Sequence, residues 1–173
     1  MRYSDGVQWN SISSGTTAVY VKGTALNNSG GSQPATIKIG GNVVFRSNRG
    51  LTLVILDATS HAVISTTTYD TVGSTANSTA LANAINAMTF NQIGILASYD
   101  NIVPSTTLPG DLTSALGNRG LTKIATASNL FRASYSSIFR GASNGPVIES
   151  LGPANSVNPT PVATVLVEDT FAT

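Results

Sequence analysis

Arg49, Asp100 and Arg132 are the side chains best suited by type and place to recognition chemistry. Arg49 stands at the entrance of an apolar run, beside Gly50, Asp100 follows another that leads into Ser98-Tyr-Asp100, and Arg132 lies within Asn129-Leu-Phe-Arg-Ala-Ser134. A carboxylate accepts hydrogen bonds and a guanidinium donates them from a planar fork. Brought to one mouth, the three groups would match the donors and acceptors of sugar hydroxyls. Phe131 and Tyr99 are nearby aromatic side chains that could face a pyranose ring. The competing expectation for each charged group is an internal arginine–carboxylate bridge.

Other chemistries find less support. There are eight carboxylates, and a glycosidase needs two facing each other across the scissile bond. Asp70 and Asp100 each end an expected strand and could form such a pair, but aspartates in such places commonly cap turns. His61 is the only histidine, set in the turn-like Asp57-Ala-Thr-Ser-His61 and expected to be solvated. With no second histidine and no cysteine, zinc lacks a ligand set. No Gly-x-Ser-x-Gly elbow supports a hydrolase triad around His61. No catalytic residue, metal site or cofactor is expected.

Positioning these groups requires a framework. Residues 51–56, Leu-Thr-Leu-Val-Ile-Leu, form a nearly unbroken apolar run rich in β-branched residues and read as a strand buried on both faces. Such a strand needs a layer on each side and belongs in the middle of a domain. Before it, residues 36–39 and 42–45 flank Gly40-Gly41 as a hairpin. After it, residues 62–69 read as a strand. Leu81, Ala84, Ile85 and Met88 then fall at helical spacing within 74–88. Residues 93–97 read as a strand leading to Asp100, and 111–116 as a short helix stopped by Gly117. Short strands are expected at 124–127 and 135–139, a loop at 141–160 with its Gly-Pro and Asn-Pro turns, and a closing strand at 162–167. Strands before and after helices indicate an α+β class.

Composition narrows the function classes. Of the 173 residues, 10% are charged, against roughly 25% in ordinary globular domains. Serine, threonine, asparagine and glycine must therefore cover the surface, which suits packing into assemblies or facing sugars. A net charge of +1 without a Lys/Arg cluster argues against nucleic-acid binding. No run approaches the roughly 20 apolar residues of a membrane span. The absence of cysteine fits a reducing compartment, and the N-terminus lacks the apolar core of a signal peptide.

The chain divides into three stretches. Residues 1–12 hold the only tryptophan, with Asp5-Gly6 as a turn between short arms, and read as a hairpin or a docking segment around Trp9. Residues 13–35 are rich in Ser, Thr, Gly and Asn and read as a linker, with a possible strand at 18–21. Residues 36–173 form the α+β domain.

Two resemblances add to this reading. The phrase Tyr3-x-Asp5-Gly6-x-x-Trp9 looks like adaptor segments of bacteriophage tail-fibre and other virion proteins. From Thr36 to about Gly152 the order of pieces resembles the interleukin-like EMT inducer, or PANDER-like, domain family. The pieces are Arg49-Gly-Leu-Thr-Leu-Val-Ile-Leu-Asp57 followed by Tyr69-Asp-Thr71, Ile95-Leu-Ala-Ser-Tyr-Asp-Asn101, and Leu116-Gly117 followed by residues 130–141. The resemblance implies a compact α+β domain of two antiparallel β-sheets with two or three short helices. The family includes the stem domain of the O-mannose N-acetylglucosaminyltransferase, which binds β-linked N-acetylglucosamine. The residues holding the sugar there match Arg49, Asp100 and Arg132. The sequence departs from the family where an aspartate is replaced by Ala133 and a tryptophan by Ser136 or Tyr135, depending on alignment.

The resulting expectation is a non-enzymatic bacteriophage virion protein, assembled in the host cytoplasm, that binds a host cell-surface glycan as part of a tail fibre or receptor-binding component. The N-terminal segment would dock on other virion proteins, and a homo-oligomer is expected. A structural capsid- or tail-decoration subunit is the alternative, and a glycan-cleaving enzyme a remote one.

Overall fold

In the computed structural model, which describes residues 16–25, 34–46, 48–143, 145–154 and 164–172, nine strands and three helices are found among the described residues. They are β1 (Thr16–Thr24), β2 (Thr36–Ile39), β3 (Asn42–Arg46), β4 (Gly50–Asp57), β5 (Val63–Tyr69), α1 (Thr75–Asn86), β6 (Gln92–Tyr99), α2 (Gly110–Gly117), α3 (Thr122–Ala125), β7 (Tyr135–Arg140), β8 (Val147–Leu151) and β9 (Thr164–Ala172). Every strand pairing is antiparallel, in a four-stranded sheet of order β3-β2-β1-β9 and a five-stranded sheet of order β5-β4-β6-β7-β8. The fold is α+β. The expected docking segment at 1–12, with Trp9, lies outside the described residues.

The five-stranded sheet is the middle layer, and β4 shows why. Its alternate side chains point to opposite faces. Leu51 and Leu53 join the core beneath the helices, with Leu81 and Ile85 of α1 and Leu112 and Leu116 of α2. Val54 and Leu56 join the core between the two sheets, with Val19, Val21 and Ile37. The apolar run is thus covered on both faces, as its composition requires. The sheet's central strand is β6 rather than β4, and Ile93, Ile95 and Ala97 repeat the pattern between the sheets.

Three expectations need correction. In the stretch expected to be a linker, 13–35, the possible strand at 18–21 is the nine-residue strand β1, paired on one side with β2 and on the other with β9. Val19 and Val21, at 1% and 0% exposure, give it a buried face, so the folded body begins before residue 36. The strand expected at 124–127 is the single helical turn α3, with Ile124 facing the core. The loop expected at 141–160 contains β8, an edge strand paired to β7 from Phe139–Val147 to Tyr135–Leu151.

Two polar devices fix how the layers meet. Ser98 Oγ accepts from the Tyr135 backbone N–H at 2.7 Å and donates to the Thr24 carbonyl at 3.3 Å, fastening β1 to β6 and β7. Beside it Gly23 passes so close to β7 that a Cβ there would lie 1.8 Å from the Tyr135 carbonyl oxygen. On the helical side, the Arg119 guanidinium donates to the carbonyls of Ile85 (3.0 Å), Asn86 (3.3 Å) and Met88 (3.2 Å) at the end of α1, and to that of Gly141.

Candidate functional site

The antiparallel order brings four strand ends to one edge of the middle sheet. Leu51 pairs with Tyr69 and Gly50 with Tyr99, so Asp70 and Asp100 emerge on either side of Arg49. Arg132 enters the same edge three residues before β7. Across the sheet the charges alternate: Asp70, Arg49, Asp100, Arg132.

Arg49 and Asp70 form a two-pronged ion pair. Arg49 Nε donates to Asp70 Oδ1 at 3.0 Å, and the terminal nitrogen donates to Oδ2 at 2.5 Å. Gly50 allows this geometry. Its φ is +103°, and a Cβ there would lie 2.1 Å from the Tyr69 carbonyl oxygen. Asp70 Oδ1 also accepts from the Gly73 N–H at 3.0 Å, closing the turn that leads to α1. The arginine bond holds the Asp70 carboxyl below its ordinary pKa, and Asp70 and then Asp100 push the Arg49 guanidinium up. An aspartate kept ionised in this way has no proton to give a leaving group, which weighs against Asp70 as a general acid.

Acidification tests this pair. A depressed carboxyl contributes stability above its unfolded pKa and loses it as pH falls through the lower folded value. Asp70→Asn is therefore expected to melt below wild type at neutral pH, with the gap closing below about pH 4. The gap should be modest, since the two side chains remain 48% and 37% exposed. Melting curves taken at a series of pH values check it, and a gap that persists in acid counts against the pair.

Asp100 and Arg132 behave differently. Both have left-handed backbone, with φ of +69° and +52°, a conformation costing a non-glycine residue on the order of 1–3 kcal/mol. At Asp100 the turn is closed by the Asn101 N–H donating to the Tyr99 carbonyl at 2.9 Å, and at Arg132 it is held by the buried Asn101 side chain. Its Oδ1 accepts from the Arg132 N–H at 2.8 Å and from the Ile102 N–H at 2.9 Å, so one side chain sets both loops. Thr71 Oγ1 donates to the Ile102 carbonyl at 2.6 Å and ties in the Asp70 turn. The Asp100 carboxylate and the Arg132 guanidinium make no hydrogen bond or ion pair with the described residues. Arg132 lies 5.3 Å from the centroid of the Phe131 ring.

The edge therefore gathers all three expected residues, with one change of partnership: the bridge from Arg49 goes to Asp70. Asn101 escaped the sequence reading, and Asp70 entered it only as a possible carboxylate partner of Asp100. Asn101 had one signal, since an asparagine directly after a strand-end aspartate is a ready turn former. Tyr99 is half-buried against the inter-sheet core. The two residues aligned with the family tryptophan, Tyr135 and Ser136, are fully buried. Tyr135 donates from its hydroxyl to Glu149 Oε1 at 2.9 Å, and burial followed by the Glu149 charge holds that phenol well above its ordinary pKa.

The sequence profile of the interleukin-like EMT inducer matches residues 49–141, more than half the chain. The chain belongs to the interleukin-like EMT inducer family. The matched segment opens on Arg49 and includes Asp70, Asp100 and Arg132, so the whole charged edge lies inside it. No curated protein matches the chain.

The turn that holds His61 departs from its expected exposure. His61 is not solvated: it is 6% exposed with φ +58°, and its Nδ1 lies 2.7 Å from Thr17 Oγ1. Asp57 caps its own turn, accepting from the Thr59 and Ser60 N–H groups at 3.0 and 2.8 Å. Among the described residues no three potential metal ligands cluster, and no helix is long and apolar enough to cross a membrane.

Proposed function

We propose that this domain is a non-enzymatic carbohydrate-binding module, displayed on a bacteriophage virion as part of a tail fibre or receptor-binding component, and that it holds a host surface glycan through Arg49, Asp100 and Arg132. One observation carries the reading. Asp100 and Arg132 are held in left-handed backbone on either side of the buried Asn101, yet their charged ends make no hydrogen bond or ion pair within the described fold. Strain kept where the charged side chains gain no internal hydrogen bond points to an external ligand. The carboxylate supplies acceptors and the guanidinium planar donors, with Phe131 alongside. The virion setting draws support from the Tyr3–Trp9 phrase and the neutral polar composition. Single sugar sites bind weakly, and many copies on a particle would multiply avidity.

Arg132→Ala is expected to weaken glycan binding by about 10- to 100-fold, the range for losing hydrogen bonds from a charged group. A glycan array followed by titration of the best ligand measures it. Wild-type affinity in Arg132→Ala overturns the site. The Arg49–Asp70 pair favours a second reading, in which the edge is internal scaffolding of a structural decoration subunit. That reading gains if no glycan on the array binds.

A further inference from the structure

A cleft of about 380 Å³ opens beside the Arg49–Asp70 pair, within the size range of small-molecule sites, roughly 300–1,000 Å³. One wall is the turn at 71–75 with Ser78 of α1, and the other is the segment 104–109. These walls continue the same two loops that carry Asp70 and Asp100. Gly73 marks the junction, since a Cβ there would lie 2.6 Å from Asp70 Oδ2 and 3.3 Å from the Arg49 guanidinium. The Thr71–Ile102 hydrogen bond fixes the spacing of the walls at their base.

The lining has a distinctive chemistry. Six of its side chains carry hydroxyls, two are prolines, and none is charged. Ser78 is 1% exposed, and its Oγ has no hydrogen-bond partner. A buried hydroxyl left unpaired is unfavourable, and a ligand that reaches it removes the penalty. The cleft also lies at the start of α1, whose first turn holds no acidic residue, so the partial positive charge of the helix end favours acceptor oxygens. The Asp70 carboxylate at the junction repels an anion, and no side chain of the lining is basic, so a neutral acceptor is favoured. Hydroxyls beside proline and leucine suit a neutral ring that is apolar on its faces and polar at its edge.

We propose that this cleft is a second saccharide subsite, taking the unit next to the one held at Arg49, Asp100 and Arg132, so that the module recognises an oligosaccharide. The proposal rests on the carbohydrate-binding reading given above. Ser78 and the start of α1 would contact the second unit, with Leu108 against its face.

Titrating wild type with N-acetylglucosamine and its β-linked dimer, trimer and tetramer tests it. The oligomers are expected to bind at least about tenfold more tightly than the monomer, a gain of roughly 1.4 kcal/mol. Thr107→Trp and Ser105→Trp, both at exposed rim positions, should reduce oligomer affinity to the monomer level and leave monomer binding and melting temperature unchanged. Arg132→Ala should weaken every member of the series. Equal affinity across the series in wild type overturns the subsite, as does a length preference that survives both tryptophan variants. If those variants abolish the preference while Arg132→Ala binds like wild type, the subsite stands and the Arg49–Asp100–Arg132 site falls. Wild type that binds no member of the series overturns the subsite, and the glycan array decides the Arg49–Asp100–Arg132 site separately.

Discussion

Gly23→Ala is expected to destabilise the domain by about 3 kcal/mol or more, the upper part of the range for overpacking a tight contact. The added methyl carbon would sit 1.8 Å from the Tyr135 carbonyl oxygen and 3.0 Å from its nitrogen. Both atoms belong to the backbone of β7, so no rotamer change relieves the clash. Separating β1 from β7 would also stretch the Ser98 bridge, which joins Thr24 to Tyr135 at this point. Against a total stability on the order of 5–15 kcal/mol, this is a large fraction. Gly110→Ala is the matched control. Nothing lies within 4 Å of a Cβ at that helical position, so the same change should be neutral or stabilising by up to about 1 kcal/mol. Urea denaturation of both variants separates the outcomes. Equal midpoints would show that the two sheets do not approach as described.

Arg119→Met should cost about 2–4 kcal/mol. The guanidinium serves three carbonyls where α1 ends and a fourth at Gly141, and hydrogen bonds from charged donors are worth roughly 1.5–3 kcal/mol each without being additive. Its positive charge also meets the negative end of the α1 dipole. Methionine keeps much of the stem but strands those carbonyls. Arg119→Lys should recover only part of the loss, because an ammonium cannot spread planar donors over four acceptors. Thermal melting checks the order wild type, lysine, methionine. A lysine variant as stable as wild type would reduce the role of Arg119 to its charge alone.

The sequence revealed those features whose cause is local. The β4 run is apolar at nearly every position, so its burial on two faces follows directly, and the helical spacing of Leu81, Ile85 and Met88 marks α1 in the same way. β1 was only partly visible, because threonines and Gly23 dilute the alternation that Val19 and Val21 supply. β8 was hidden between the Gly-Pro and Asn-Pro dipeptides of the sequence, and its edge position removes the need for an apolar run. α3 is too short to show any period. At the site, a strand start and a strand end placed Arg49 and Asp100, but the choice between Asp70 and Asp100 as partner depends on which strands are neighbours. Arg119 was invisible for another reason: its acceptors are main-chain carbonyls, which leave no residue signature.

The β1–β9 ladder has a mechanical consequence. Thr16 faces Ala172 at one end of the ladder and Thr24 faces Thr164 at the other. A load drawn through the chain on either side of this body would therefore act on the first rung alone and peel the two strands apart one rung after another. Shearing, in which all the rungs resist together, would not arise from that direction of pull. The body would give way first along this seam, while the charged edge, built on β4 to β7, sits on other strands.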